Sequence, residues 1–493
     1  MFKKILIANR GEIAVRIIRT ARTMGIESIA IFSEDDRQAL HVLLADKAYS
    51  VGAASAKASY LNIKSIIAIA KKAKVDAIHP GYGFLSEDPK FAQAVVDAGI
   101  VFIGPSPEII EKVGDKLSAR AEMKKIKMPL LPGSSDQITS LEEAKKIADT
   151  IGYPIIIKAT AGGGGKGIAK VFQKIELEKA LIKCKKEGLL YFNDDRVFIE
   201  KLVLSPKHIE VQIFGDQKGN IVHLFERECS AQRRNQKVLE ESPAHNLPPL
   251  VRKKICDLAA KAGKHLKYFS AGTIEFIYEP SSQQFYFMEI NPRLQVEHPV
   301  TEMTVGVDLV KEQIQVAAGL ALSWKQSDLK TQGHAIELRI CAEDPKTFLP
   351  HPGKISLCQH PQGPFVRVDS CAYSGYFVPL NYDPLITKII VWADSRETCI
   401  KRLTTAIKET RITGIKTNII LHKHILQHPL FIDATYHTGF IEKNIINKKH
   451  KEFFSFVNDH VFVITAALQK LQTKDEPTKN HSDWKDSSAE QSF

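Results

Sequence analysis

Apolar and polar positions follow two alternating periods along the first hundred residues. Ile5-Leu6-Ile7-Ala8 and Ser28-Ile29-Ala30-Ile31-Phe32 are short continuous apolar runs, the pattern of strands buried on both faces. Between them, Gly11 to Met24 carries Ile13, Ile17 and Ala21 at helical spacing. Ala77-Ile78-His79-Pro80 and Val101-Phe102-Ile103-Gly104 repeat the strand pattern, with a helical segment between them. This βαβ rhythm predicts a parallel α/β sheet. Asn9-Arg10-Gly11-Glu12 follows the first strand but lacks the G-x-G-x-x-G fingerprint, which argues against a nicotinamide dinucleotide site.

The rhythm changes at Asp115-Lys116. From there to about residue 330 helices mix with antiparallel strands and long polar loops, and Pro132-Gly133-Ser134-Ser135 and Pro154 punctuate the start of a small inserted subdomain. From 331 to about 446, strands (Ala335 to Cys341, Leu385 to Trp392) accompany a helix (Arg396 to Lys408). The fold class is thus α/β followed by α+β. Val457 to Leu471 reads as a helix with an apolar face, for its own domain or for a partner, and residues from 473 read as a polar disordered tail.

Composition narrows the classes. The 493 residues suffice for two to four domains with a large core, and 44% hydrophobic with 25% charged is globular. No apolar run reaches the length of a membrane span, and the first apolar run reads as a strand rather than a signal peptide. Seven scattered cysteines without a C-x-x-C pair argue against a zinc site or disulfide framework and place the chain in a reducing compartment, the cytoplasm. The net charge of +12 suits acidic partners such as nucleotides or bicarbonate, or is a generic solvated basic surface. No nucleic-acid motif accompanies it.

The chemistry concentrates in a few stretches. Ala271 to Glu279 and Glu289 to Asn291 read as two strands joined by the turn-rich Pro280-Ser281-Ser282-Gln283-Gln284. A hairpin centred on Ser282 sets Glu275 opposite Glu289, with Asn291 on the same face as Glu289. Two facing carboxylates repel, so the pair is either a solvated face or a holder for a divalent cation such as magnesium bridging to phosphates. Ile155-Ile156-Ile157-Lys158 is an apolar strand followed by Gly162-Gly163-Gly164-Gly165-Lys166-Gly167; it is not a Walker A loop, yet its glycines and lysines suit an anion nest for phosphate. Val197 to Val203, including Glu200, Lys201 and Leu202, offers backbone groups to an adenine edge. His208, Glu210 and Gln212 share one strand face, and Gln232-Arg233-Arg234-Asn235-Gln236-Lys237 is dense in donors for an anion or is a solvated basic loop. Arg293, Gln295 and Glu297 alternate just past the acidic strand, where an arginine can grip an oxyanion and a glutamate can act as base. Arg339 sits on a further strand. Together these predict phosphoryl transfer from a magnesium nucleotide to a small oxyanion.

From residue 1 to about 446 the chain closely resembles the biotin carboxylases, which are ATP-grasp enzymes. The resemblance rests on Ala8-Asn9-Arg10-Gly11-Glu12-Ile13-Ala14, His79-Pro80-Gly81-Tyr82-Gly83-Phe84-Leu85-Ser86-Glu87, the glycine loop, Gln232-Arg233-Arg234, and Glu289 to Glu302. It implies a pre-ATP-grasp α/β domain (1–114), an ATP-grasp domain (115–330) with a glycine-loop lid (about 131–203), and an α+β C-terminal domain (331–446), followed by a helical extension (447–472) and the tail (473–493). It implies ATP contacts from Lys116, Lys158, Gly164, Gly165, Glu200, Lys201, Leu202, Val203, His208, Gln232 and Asn235, and also from the metal-side Glu275 and Glu289. Magnesium or manganese, with two sites possible, falls to Glu275, Glu289 and Asn291; bicarbonate to Lys237, Arg293, Gln295, Val296 and Arg339. Glu297 is then the base and Arg339 the partner of the biotin ureido oxygen, with Lys237 and Arg293 completing the catalytic set. Two departures are Asn235, histidine in some relatives, and Pro292, threonine in others. No Met-Lys-Met-type biotin motif occurs, so biotin is expected on a separate carrier protein. A carboxyltransferase and a second copy of the chain, in a homodimer, are the further partners implied. Residues 414 to 442 look more like the acyl-CoA and pyruvate carboxylase branches, and the transferase sets the acceptor: acetyl-CoA, propionyl-CoA, another acyl-CoA or pyruvate. Two rival readings are an ATP-grasp ligase joining a carboxylate to an amine, and a non-catalytic nucleotide-binding protein.

Overall fold

A computed structural model describes residues 1–161 and 166–446; the glycine-loop residues 162–165, with Gly164 and Gly165, and the expected extension and tail lie outside the described residues. Met1–Glu442 packs as one compact unit.

The first apolar runs become a parallel five-stranded sheet. Its strands are β1 (Lys4–Ile7), β2 (Glu27–Ser33), β3 (Lys47–Gly52), β4 (Ala77–His79) and β5 (Val101–Phe102), in the order β3-β2-β1-β4-β5. The helix Gly11–Thr23 buries Ile13, Ala14, Ile17, Ile18 and Ala21 against it, as its spacing predicts. The chain winds outward in both directions from β1, so a crevice opens where β1 and β4 end. The two sequence motifs there are tied together: Asn9 Nδ2 donates to the carbonyls of Pro80 at 2.6 Å and Tyr82 at 2.8 Å. Gly81 has φ +65, and a Cβ there would come within 2.9 Å of Asn9 Nδ2, so this junction requires glycine.

A small antiparallel sheet follows, β6 (Ile155–Ala159), β7 (Ile168–Val171) and β8 (Val197–Lys201), in the order β7-β6-β8. It shares an apolar core with the helices Leu141–Ile151 and Leu177–Phe192.

The main sheet uses β9 (Lys207–Gly215), β10 (Ile221–Arg233), β11 (Gln236–Ser242), β12 (Ser270–Glu279), β13 (Gln284–Asn291) and β14 (His334–Cys341). After the short β15 (Gly353–Lys354) and β16 (Leu357–Gln359) come β17 (Val366–Ser370), β18 (Phe377–Val378) and β19 (Leu385–Ala393). Eight strands join in the order β13-β12-β9-β10-β11-β14-β19-β17, so one sheet continues across residue 331. The donor-dense stretch near Asn235 is the tight turn between β10 and β11, where Arg234 and Asn235 have positive φ.

The predicted acidic hairpin forms, with a difference in register. Glu275 pairs with Glu289, and Asn291 pairs with Thr273 two residues along the same face. Nearer the turn, Phe276 pairs with Phe287 and Glu279 with Gln284, so a bulge lies between the two registers. The axis through Ser282 therefore holds at the acid pair and slips by half a residue at the turn.

Candidate active site

The crevice between the parallel sheet and the eight-stranded sheet encloses a cavity of about 920 Å³. Its wall includes Lys116, Lys158, Lys201, Leu202, Val203, His208, Gln232, Asn235, Lys237, Glu275, Glu289, Asn291, Arg293, Gln295, Val296 and Arg339. The structure thus brings these predicted residues together from separate regions of the chain. Glu200 and Glu297 lie behind this wall rather than on it, exposed by only 2% and 0%.

Cross-strand register builds the floor. Arg227 on β10 pairs with Glu210 on β9, Glu210 with Glu275 on β12, and Glu275 with Glu289 on β13. Three carboxylates in a row repel unless cations sit among them. Arg227 Nε lies 2.6 Å from Glu210, and Lys116 Nζ lies 2.7 Å from Glu289. His208 Nε2 is 3.1 Å from Glu275. Lys237 Nζ reaches Glu210 at 2.5 Å, Glu275 at 2.9 Å and Glu297 at 2.6 Å. Burial alone would strip the Lys237 proton, but the three glutamates outweigh it and hold its pKa well above the ordinary lysine value.

At the small sheet, Lys158 Nζ contacts Glu200 at 2.6 Å, and Arg120 binds the same carboxylate. Lys201 Nζ is tied to the carbonyls of Gly152 and Tyr153. At the other end, Arg293 Nη1 donates to Gln295 Oε1 at 2.6 Å and its Nε lies 3.2 Å from Glu87. Gln295 Nε2 and Asn291 Nδ2 both donate to Glu275 Oε1, at 3.2 and 3.0 Å.

Glu297 is gripped from two sides. Lys237 takes Oε1, and Arg339 Nη2 lies 2.8 Å from Oε2 while also sitting 2.5 Å from Glu240. Burial would raise the Glu297 carboxyl, yet Lys237, Arg339 and Arg227 outweigh it and hold it well below the usual carboxylate range. Glu240 goes the other way: burial pushes it up to about 7 against the pull of Arg339. In this arrangement Glu297 is a weak base, and drawing either cation toward an anion in the cavity would strengthen it.

The residues can also hold a divalent cation. Glu275 and Glu289 present carboxylate oxygens and Asn291 an amide oxygen, a hard-oxygen set suited to magnesium or manganese. Lys116 and Lys237 pair with those carboxylates, so a divalent cation would take the place of these lysine contacts. His208, Glu210 and Glu275 also bring ligand atoms within 4.8 Å of one another, but Arg227 and Lys237 already bind Glu210.

Glu210, named from the sequence only for sharing a strand face with His208, and Glu87, named only within a resemblance motif, join the site, as do Glu240 and Lys388, which the sequence did not single out. Glu210 was signalled by its alternation with His208; Lys388 by being the one charge within the apolar run Ile386 to Val391.

Comparison with known proteins matches three family models: biotin carboxylase, N-terminal domain, at residues 1–110; carbamoyl-phosphate synthase L chain, ATP binding domain, at 115–325; and biotin carboxylase C-terminal domain, at 337–443. The chain is 49% identical over 443 residues to biotin carboxylase 1 of Bacillus subtilis, covering 90% of this chain and 98% of that protein. It is 50% identical over 446 residues to the biotin carboxylase of Haemophilus influenzae, covering 90% of this chain and 99% of that protein. Among solved structures, a Campylobacter jejuni biotin carboxylase in an ATP complex superposes with a TM-score of 0.88 at 45% identity, covering 90% of this chain and 99% of that one. The biotin carboxylase domain dimer of Hydrogenobacter thermophilus 2-oxoglutarate carboxylase, solved with MgADP, ADP and bicarbonate, also gives 0.88, at 44% identity and covering 90% and 98%. No described helix is long and apolar enough to cross a membrane. With both outer domains and the ATP-binding domain between them matched in order, at nearly half identity over the full length of a relative, the chain belongs to the biotin carboxylase family.

Proposed function

We propose that this chain carboxylates biotin at the expense of ATP and bicarbonate, as the first half-reaction of an acetyl-CoA, acyl-CoA or pyruvate carboxylase. One observation carries the reading: Lys237 bonds at once to the acidic row, through Glu210 and Glu275, and to Glu297. It thereby couples the nucleotide end of the cavity to the bicarbonate end. The ligands named for the solved relatives, ATP, MgADP and bicarbonate, support the same assignment.

Lys116, Lys158 and the glycine loop with Gly164 and Gly165 take the phosphates. The backbone of Glu200 to Val203 takes the adenine, with His208, Gln232 and Asn235 beside it. A magnesium or manganese ion held by Glu275, Glu289 and Asn291 would neutralise phosphate charge. Arg293, Gln295, the Val296 N–H, Lys237 and Arg339 hold bicarbonate. As its oxygens draw Lys237 and Arg339 away, Glu297 gains basicity and removes the bicarbonate proton. A bicarbonate oxygen then attacks the γ-phosphorus, the bond to ADP breaks, and carboxyphosphate forms. Carboxyphosphate splits into carbon dioxide and phosphate. The phosphate takes the N1 proton of biotin, N1 bonds to the carbon dioxide, and Arg339 stabilises the ureido oxygen as negative charge develops there.

We assign 1–114 to the pre-ATP-grasp domain, 115–330 to ATP-grasp with its lid at about 131–203, and 331–446 to the C-terminal domain, a division supported by the extents of the three family matches. Biotin arrives on a separate carrier, the product passes to a carboxyltransferase, and the chain works as a homodimer in the cytoplasm.

The test is phosphate release from MgATP with and without bicarbonate and free biotin. Release that depends on bicarbonate and rises with biotin is expected; release indifferent to both contradicts the reading. In the same assay Glu275→Gln raises the half-saturating magnesium concentration by roughly 10–100-fold, whereas an unchanged magnesium dependence removes Glu275 from the metal site.

A further inference from the structure

Lys388 lies in the middle of β19 among apolar neighbours, and none of its side chain is exposed. Its Nζ donates to the Val296 carbonyl at 2.7 Å, lies 3.5 Å from Glu12 Oε1 and 4.0 Å from Asp369, and sits 5.8 Å from the centre of the Tyr82 ring. On the strand beside it, Lys388 pairs with Arg339, two residues from Glu337 on the same face. Neither Glu337 nor Glu12 has a hydrogen-bond partner for its carboxylate among the described residues. Burial disfavours the ammonium, but Glu12, Glu337 and Asp369 outweigh it and raise its pKa, while burial in turn pushes Glu12 up to about 7 and Glu337 well above the carboxylate range.

A buried charge so placed is costly, and beside the longer contacts to Glu12 and Asp369 the short hydrogen bond of its ammonium among the described residues is to the Val296 carbonyl. That carbonyl belongs to the peptide between Val296, which lines the cavity, and Glu297, which begins the helix His298–Val305. The side chains of this turn are tied to Glu87, Glu275, Lys237 and Arg339, and its backbone is otherwise held from within, by Arg293 N to Asn291 O at 2.9 Å and His298 Nδ1 to Gln295 O at 2.8 Å.

Resting on the proposed function, we propose that Lys388 is a positioning residue for bicarbonate: its bond to Val296 fixes the peptide that sets both the Val296 amide and the aim of Glu297. A misplacement of about 1 Å at such a turn is enough to cost roughly 10²-fold in reactivity. Lys388 itself touches no substrate.

The experiment compares wild type, Lys388→Met, Glu337→Gln and the double variant Lys388→Met/Glu337→Gln, measuring half-saturation by bicarbonate and by MgATP together with thermal unfolding. The two proteins lacking Lys388 are expected to need about tenfold more bicarbonate, with MgATP half-saturation within about twofold of wild type and Glu337→Gln near wild type. If Lys388→Met does not fold, the double variant decides. An unchanged bicarbonate requirement, an equal rise for both substrates, or failure of both proteins to fold overturns the proposal in favour of a purely structural lysine. Wild type without bicarbonate-dependent ATP cleavage would instead sink the proposed function.

Discussion

Replacing Glu297 with glutamine is expected to lower bicarbonate-dependent ATP cleavage by about 10²–10⁴-fold, the usual contribution of a positioned base. The variant should fold. Lys237 keeps Glu210 and Glu275 as partners, and Arg339 keeps Glu240, so neither cation is left bare. Nucleotide binding should persist, because Glu297 touches none of Lys116, Lys158, Glu275 or Glu289 by a hydrogen bond or ion pair. Steady-state phosphate release with a parallel nucleotide titration checks both halves. Near-normal turnover in a folded Glu297→Gln protein would assign the base elsewhere.

Arg339→Ala is expected to separate the two chemical steps. Biotin carboxylation should fall by about 10²–10³-fold, the cost of removing a donor from a developing oxyanion. ATP cleavage without biotin should survive better, within about tenfold, because losing one of its two cations raises the basicity of Glu297 even as one bicarbonate contact is lost. Arg339→Lys should not restore carboxylation, since a single ammonium cannot keep both Glu240 and an incoming oxygen in a planar fork. Measuring product carboxybiotin against phosphate released gives the coupling ratio. A ratio equal to wild type in Arg339→Ala would place the arginine outside the second step.

Much of this site was legible in the chain because its key pair is local. Glu275 and Glu289 face each other across a hairpin, and alternation with turn chemistry sufficed to pair them. The bulge between Glu275 and Phe276 was not legible, since both registers preserve an apolar inner face nearby. The third acid in the row, Glu210, depends on β9 pairing with β12 from some 60 residues away, and Arg227 on β10 pairing with β9. No local pattern states such partners. The parallel sheet was clear from its apolar runs, yet the tie from Asn9 to the loop after β4 appears only once β1 and β4 lie side by side. Likewise the sequence changes character near residue 331, while the main sheet runs through that point because β11 pairs with β14. Glu297 and Arg339 were named as base and ureido partner through resemblance. Their direct contact, which together with Lys237 holds the Glu297 carboxyl well below the usual carboxylate range, is a product of the fold.

We propose that the chain transfers carbon from bicarbonate to biotin at the cost of one ATP. The most direct test is to incubate the protein with MgATP, carbon-labelled bicarbonate and free biotin, and to follow the label. Label is expected in an acid-labile biotin adduct that forms only with ATP present and in step with phosphate release. Phosphate released with no label in biotin, or label recovered on an added amine instead, would contradict it.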